Sequence, residues 1–158
     1  PEELKVMADT KEALYREHLV ASNIEPLPGV RALLADLKAA GIGRAVGSST
    51  PRKNIETAMA ILDLADFFDG VVTGDDVTHG KPHPEVFLKA AASVGAPPKR
   101  CIVIEDAPGG IQAAKAGGMF ALAVTTSHPR TMFPHADRIV DSLAELTAGS
   151  MYAPATAP

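Results

Sequence analysis

Hydrophobic residues along the chain follow two patterns, short continuous runs and runs in which they recur every three or four positions. The continuous runs predict strands buried on both faces, at residues 42–47, 71–73, 101–104, 119–124 and 138–140. The spaced runs predict helices at residues 2–20, 30–37, 51–62, 86–94 and 111–116, and a last helical turn at 142–146. Because strand and helix alternate repeatedly, the pattern indicates an α/β domain with a doubly wound parallel sheet, covered by helices on both faces.

Two segments fall outside this alternation. Residues 22–28 read SNIEPLP, and the two prolines predict a linker, so we expect the helix at 2–20 to belong to a separate helical unit. Residues 147–158 consist mainly of Ala, Pro and Thr and predict a flexible tail.

Composition narrows the class of protein. The chain has 158 residues, of which 46% are hydrophobic and 22% charged, and this is typical of one globular domain rather than a disordered segment. A net charge of -4, 4% aromatic residues and no Trp argue against binding nucleic acid or an anionic membrane. The single cysteine excludes an internal disulfide and fits a reducing compartment, so we expect the cytoplasm, with an organelle stroma or matrix as the alternative.

Residues that carry chemistry follow three of the predicted strands. Ser48 and Ser49 follow the first strand, and Lys81 follows the second. Glu105 and Asp106 follow the third strand directly. Because the carboxyl ends of parallel strands meet at one edge of the sheet, we expect these side chains to converge. Hydroxyls at a helix N-terminus and a lysine suit a phosphate group, and two carboxylates suit Mg²⁺.

Structural interpretations stand beside these functional ones. The run 48–51 is typical of a helix cap, a loop lysine is usually solvated, and an acidic pair after a strand often lies at the surface. Arg52 is a candidate contact to substrate beyond the phosphate, with an exposed surface arginine as the alternative. Cys101 is interpreted as an inert core thiol. No zinc-motif spacing links the histidines at His79, His83, His128 and His135.

Three segments together resemble a known family. They are Val46-Gly47-Ser48-Ser49, then Gly80-Lys81-Pro82-His83-Pro84-Glu85-Val86-Phe87, then Ile104-Glu105-Asp106-Ala107-Pro108-Gly109-Gly110-Ile111-Gln112-Ala113-Ala114. In sequence and order they resemble the haloacid dehalogenase-like (HAD) hydrolases, in the branch that contains β-phosphoglucomutase, phosphoglycolate phosphatase and sugar-phosphate phosphatases. The resemblance covers roughly residues 2–146.

The resemblance implies a role for each matching residue. Ser48 would bind phosphate oxygens, helped by the backbone N–H of Ser49, and Lys81 would hold phosphate and nucleophile together. Glu105 and Asp106 would position Mg²⁺. The resemblance also implies that residues 1–25 are the C-terminal part of a helical cap and that residues 26–146 are a HAD-like core without its first strand. The implied activity is that of a Mg²⁺-dependent phosphatase or phosphosugar mutase acting on a small phosphorylated metabolite through an aspartyl-phosphate.

The chain departs from the family at one motif. Family members carry Asp-x-Asp at the end of an N-terminal strand, where the first aspartate attacks phosphorus, and no such pair occurs here. Without that nucleophile we expect the chain alone to be inactive. Because the sequence begins at Pro1 inside a helical pattern, we expect a fragment whose N-terminal segment is missing. The alternatives are completion by another chain and a degenerate relative.

Two functions of other classes compete with this hypothesis. A catalytically inactive binding or assembly subunit would explain the missing Asp-x-Asp. A response-regulator receiver is also doubly wound and carries acids, a hydroxyl and a lysine at its strand ends. In a receiver the acidic pair follows the first strand and the lysine the last, whereas here the lysine precedes the acids.

Overall fold

The computed structural model describes residues 2–152, and these form an α/β fold. The helices are α1 (Glu2–Ala21), α2 (Val30–Ala39), α3 (Arg52–Ile61), α4 (Glu85–Ser93) and α5 (Pro108–Ala116). The strands are β1 (Ala45–Gly47), β2 (Gly70–Val72), β3 (Ile102–Glu105), β4 (Phe120–Val124) and β5 (Arg138–Val140). Short 3₁₀ turns lie in the connections, among them Gly74–Asp76 and Leu143–Glu145. None of the helices within these residues is long and apolar enough to cross a membrane.

All strand pairs in the described part of the chain are parallel. β1 pairs with β2, and Val46 lies opposite Val71. β4 lies between β3 and β5, in a sheet that is separate from the first. The parallel α/β prediction is therefore confirmed, but its strands fall into two sheets. Within residues 2–152, β1 and β3 are each paired along one edge only.

Helices cover the three-stranded sheet on both faces. On one face α4 and α5 bury Phe87 and Ile111 in a cluster that also contains Val72 of β2 and Val103 of β3. This cluster joins the two sheets, because α4 packs on β1 and β2 while α5 packs on β3 and β4. On the other face α2 buries its leucines against β4 and β5, in a cluster formed by Leu33, Leu37, Leu122, Val124 and Val140. Both faces are apolar because the strands are continuous hydrophobic runs.

The first helix rests on α3 through one buried polar side chain. Asn54 is 2% exposed, accepts a hydrogen bond from Arg16 of α1 at 2.9 Å and donates another to Glu12. The bond from Asn54 lowers the pKa of the Glu12 carboxyl. Most large apolar side chains of α1 nevertheless remain exposed, including Met7, Leu14 and Val20.

The linker before α2 ends at a residue that the rest of the fold holds tightly. Gly29 has φ +88°, a conformation that side chains disfavour. A β-carbon at this position would lie 2.2 Å from the backbone nitrogen of Ala144. The start of α2 is therefore pressed against the 3₁₀ turn Leu143–Glu145, and only glycine fits there.

The structure differs from the sequence predictions by three residues at the start of two elements, by one or two residues at other element ends, and in the tail. β1 begins at Ala45 rather than at residue 42. α5 begins at Pro108 rather than at residue 111, because proline is favoured in the first turn of a helix. Residues 147–152 of the predicted flexible tail form turns on α2: Met151 is buried, and the N–H of Ala148 donates to Asp36 at 2.6 Å. Residues 153–158 of that tail lie outside the described part of the chain.

Candidate active site

Two of the residues predicted to share a site are in direct contact. The ammonium group of Lys81 forms an ion pair with Oε1 of Glu105, the last residue of β3. Their side chains are only 18% and 10% exposed, and the Lys81 Nζ lies 4.5 Å from the centre of the Phe87 ring. An ion pair this far from solvent is screened less than a surface pair. The fold thus fixes the position of the Lys81 ammonium group at the carboxyl end of β3.

The second oxygen of Glu105 is held by backbone amides. Oε2 accepts hydrogen bonds from the N–H groups of Asp106 and Ala107, both at 3.0 Å. Gly110, in the first turn of α5, leaves the space that this carboxylate occupies. Both oxygens of Glu105 are therefore occupied, one by Lys81 and the other by the turn that leads into α5.

Asp106 is held by two residues of the connection that follows β4. Its Oδ2 accepts a hydrogen bond from the hydroxyl of Ser127, and its backbone oxygen lies 3.0 Å from Nδ1 of His128. Within residues 2–152, Oδ1 of Asp106 receives no hydrogen bond. No sequence motif points to Ser127, because its partner Asp106 lies 21 residues away along the chain. A carboxylate with one oxygen fixed and the other available suits a hard divalent cation such as Mg²⁺.

Ser48 and Ser49 lie at the end of β1, as predicted. The N–H of Ser48 donates to Val72 at 3.0 Å, and its hydroxyl accepts from the N–H of Thr50 at 3.1 Å. Ser49 is exposed, and its backbone oxygen lies against Gly74, where a β-carbon would approach it to 2.5 Å. Among the hydrogen bonds and ion pairs of residues 2–152, none links these serines to the Lys81–Glu105 pair.

Arg52 is engaged by two aspartates of the Gly74–Asp76 turn. Its guanidinium donates to Oδ2 of Asp76 at 2.6 Å, and its backbone N–H donates to Asp75 at 2.9 Å. Asp76 also accepts from the N–H and hydroxyl of Thr73, and these bonds, with Arg52 beside them, lower the pKa of its carboxyl. Contact of Arg52 with a substrate stays a prediction, since these aspartates hold it in the described part of the chain.

Comparison with known proteins connects this arrangement to a family. The family model of the haloacid dehalogenase-like hydrolases matches residues 2–118, which include the whole Lys81–Glu105–Asp106 group. The structure is similar to that of β-phosphoglucomutase from Clostridium difficile, with a TM-score of 0.84 and 33% sequence identity, covering 94% of this chain and 66% of that one.

Two of the curated relatives are phosphatases. The chain is 36% identical over 118 residues to validoxylamine A 7'-phosphate phosphatase of Streptomyces hygroscopicus subsp. limoneus, covering 75% of this chain and 55% of that protein. It is 41% identical over 121 residues to the fructose-1-phosphate phosphatase YqaB of Escherichia coli (strain K12), covering 75% and 61%. The chain therefore spans little more than half the length of these curated relatives.

Proposed function

The chain belongs to the haloacid dehalogenase-like hydrolases, and on this premise we propose that it is the C-terminal core of a Mg²⁺-dependent enzyme that transfers the phosphoryl group of a small phosphorylated metabolite. The observation that carries the proposal is the Lys81–Glu105 ion pair beside Asp106, at the carboxyl end of β3. Ligands of parallel α/β sheets bind at this end of the strands.

Lys81 supplies the positive charge for the phosphate. Its ammonium has three protons, and Glu105 accepts one of them, so the others remain to donate to phosphate oxygens. The ion pair fixes the ammonium before substrate arrives, so little orientation is lost on binding. Ser48 and the N–H of Ser49 would contribute further donors from the end of β1.

Asp106 and Glu105 are the proposed metal residues. Asp106 offers a free carboxylate oxygen and would bind Mg²⁺ directly, while Glu105 supports the site by holding Lys81 and the turn into α5. When bound, Mg²⁺ neutralises the charge of the phosphoryl group during transfer. Ser127 fixes the other oxygen of Asp106 and so orients the carboxylate.

The nucleophile would come from outside these 158 residues, because they contain no Asp-x-Asp pair. We place it on a further parallel strand that pairs with the open edges of β1 and β3 and joins the two sheets. This arrangement is supported by α4 and α5, which form one apolar cluster over both sheets. Either an N-terminal segment of the same protein or a complementing chain could supply the strand.

The proposed substrate class rests on the names of the relatives, and α1 is the proposed part of a cap. Two similar phosphatases are named for fructose 1-phosphate and validoxylamine A 7'-phosphate, so a phosphorylated sugar or a sugar-like compound is the proposed substrate. We interpret α1 as the last helix of a cap over the core, because several of its apolar side chains are exposed. We propose no nucleic acid or membrane partner. The proposed location is the cytoplasm, with an organelle stroma or matrix as the alternative.

The test is phosphate release by the protein with its upstream segment restored. With Mg²⁺ and fructose 1-phosphate or β-glucose 1-phosphate, we expect Lys81→Ala and Asp106→Ala to lower kcat/KM by about 100-fold or more. Lys99→Ala, which replaces an exposed lysine on the turn that precedes β3, is the matched control and should keep full activity. Unchanged activity in both site variants would contradict the proposal.

A catalytically inactive binding or assembly subunit remains the second candidate, favoured by the absence of Asp-x-Asp. The two candidates differ in the sequence upstream of residue 1. Codons for an apolar strand ending in Asp-x-Asp support the enzyme, whereas an open reading frame that starts at this point supports the binding subunit.

A further inference from the structure

We propose that His79, His83 and Glu85 bind a first-row transition-metal ion such as Zn²⁺, at a site distinct from that of Mg²⁺. One ligand atom from each of these residues lies within 4.8 Å of the others. They stand on the loop before α4 and at the first residue of that helix. His79 and His83 flank Lys81 in the sequence, so a bound ion would close a ring of backbone around this lysine.

The distances are close to those of a metal centre. Nδ1 of His79 lies 3.1 Å from Oε2 of Glu85, and the rings of His79 and His83 have centroids 4.6 Å apart. Tetrahedral zinc with bonds of about 2.0–2.2 Å places its ligand atoms about 3.3–3.6 Å apart. The His79 side chain is 63% exposed and has room to rotate toward an ion.

Neighbouring groups already orient two of the ligands. Oε1 of Glu85 accepts from Lys89 at 2.7 Å and from the N–H of Thr78 at 3.1 Å, which holds the carboxylate with Oε2 toward His79. Nδ1 of His83 accepts from the N–H of Glu85 at 3.3 Å, which leaves Nε2 for the ion. Such outer hydrogen bonds fix the tautomer and direction of metal-binding histidines.

Ligand chemistry separates this site from the one at Asp106. Two imidazoles and one carboxylate favour Zn²⁺, Cu²⁺ or Ni²⁺, whereas Mg²⁺ prefers oxygen ligands. Three protein ligands leave a fourth position for water. Lys89 lies beside the carboxylate and weakens cation binding by repulsion, so we expect micromolar rather than nanomolar affinity.

Isothermal titration of the 158-residue chain with Zn²⁺ tests the site, with Co²⁺ ligand-field absorption as a second readout. We expect one equivalent to bind, and His79→Ala and His83→Ala each to weaken binding at least 10-fold. His135→Ala, an exposed histidine elsewhere, and Asp106→Asn, in the proposed Mg²⁺ site, should bind as the parent does.

Three results would overturn the proposal. They are no Zn²⁺ binding at millimolar concentration, unchanged binding in both His79→Ala and His83→Ala, and loss of binding in Asp106→Asn alone. Circular dichroism of each variant checks that the fold is kept; both histidines are exposed, so we expect no loss. Because the readout is metal binding and not phosphate release, failure here is distinct from failure of the proposed phosphoryl transfer.

Discussion

Gly110 lies directly against the carboxyl group of Glu105: a β-carbon at Gly110 would come within 2.1 Å of Cδ of Glu105. Glu105 cannot move aside freely, because Lys81 and two backbone amides hold its oxygens. We therefore expect Gly110→Ala to break at least one of these bonds. The free energy of unfolding should fall by about 1–3 kcal/mol, measured by urea denaturation.

Gly109→Ala is the matched control, one residue earlier in the same helix. Nothing lies within 4 Å of a β-carbon at that position. Replacing a helical glycine by alanine there should raise stability by about 0.5–1 kcal/mol. Similar effects of the two substitutions would show that contact with Glu105 does not determine the loss of stability in Gly110→Ala.

The Lys81–Glu105 pair should show strong energetic coupling. Removing one partner leaves the other charge poorly solvated, whereas removing both avoids this cost. In a double-mutant cycle of Lys81→Met and Glu105→Gln, we expect the double variant to be more stable than the sum of single effects by about 1–3 kcal/mol. Additive effects, within about 0.5 kcal/mol, would mean that solvent screens the pair.

Asp76 should make the free energy of unfolding depend on pH. Hydrogen bonds from Thr73 and the charge of Arg52 lower its pKa below the ordinary 3.8. A depressed carboxyl pKa adds stability above the unfolded value, and this stability is lost as pH falls through the folded value. Asp76→Asn should thus be less stable than the parent at pH 7, with the difference shrinking below pH 3.8.

Chemical denaturation at several pH values measures this difference. Asp9→Asn, on the exposed surface of α1, is the control and should match the parent at pH 7. A deficit in Asp76→Asn that stays constant down to strongly acidic pH would point to lost packing rather than lost charge.

The open strand edges predict self-association. Within residues 2–152, β1 and β3 each have one edge with no strand partner, and such edges pair readily with other chains. Analytical ultracentrifugation should therefore detect dimers or larger species at micromolar concentration. A peptide with the sequence of the proposed additional strand should shift the population toward a one-to-one complex. A stable monomer that does not bind this peptide would contradict the proposed strand position.

The sequence predicts well what short-range patterns determine. β5 is found at the predicted residues 138–140 because its apolar run is short and bounded by polar residues. The Lys81–Glu105 contact follows from the rule that strand ends converge. By contrast, the hydrogen bond from Ser127 to Asp106 depends on two connections packing together, which no local spacing encodes.

Two other features were missed for physical reasons. The segment around Met151 is rich in Ala, Pro and Thr, which predicts a flexible tail. The Met151 side chain is nevertheless buried in the core cluster that contains Leu33. His79, His83 and Glu85 lie in a loop and at a helix start, where no regular period brings side chains together. Their proximity depends on the path of the backbone, and so only the structure reveals it.

The close contact between Gly29 and Ala144 fixes the position of the chain at the start of α2. Gly29 cannot shift without displacing the turn Leu143–Glu145, so a change in the orientation of α1 relative to the core would have to break its bonds to Asn54 and be taken up by residues 22–28. The turn Leu143–Glu145, near the last described residues, therefore fixes one end of the segment that connects the proposed cap helix to the core.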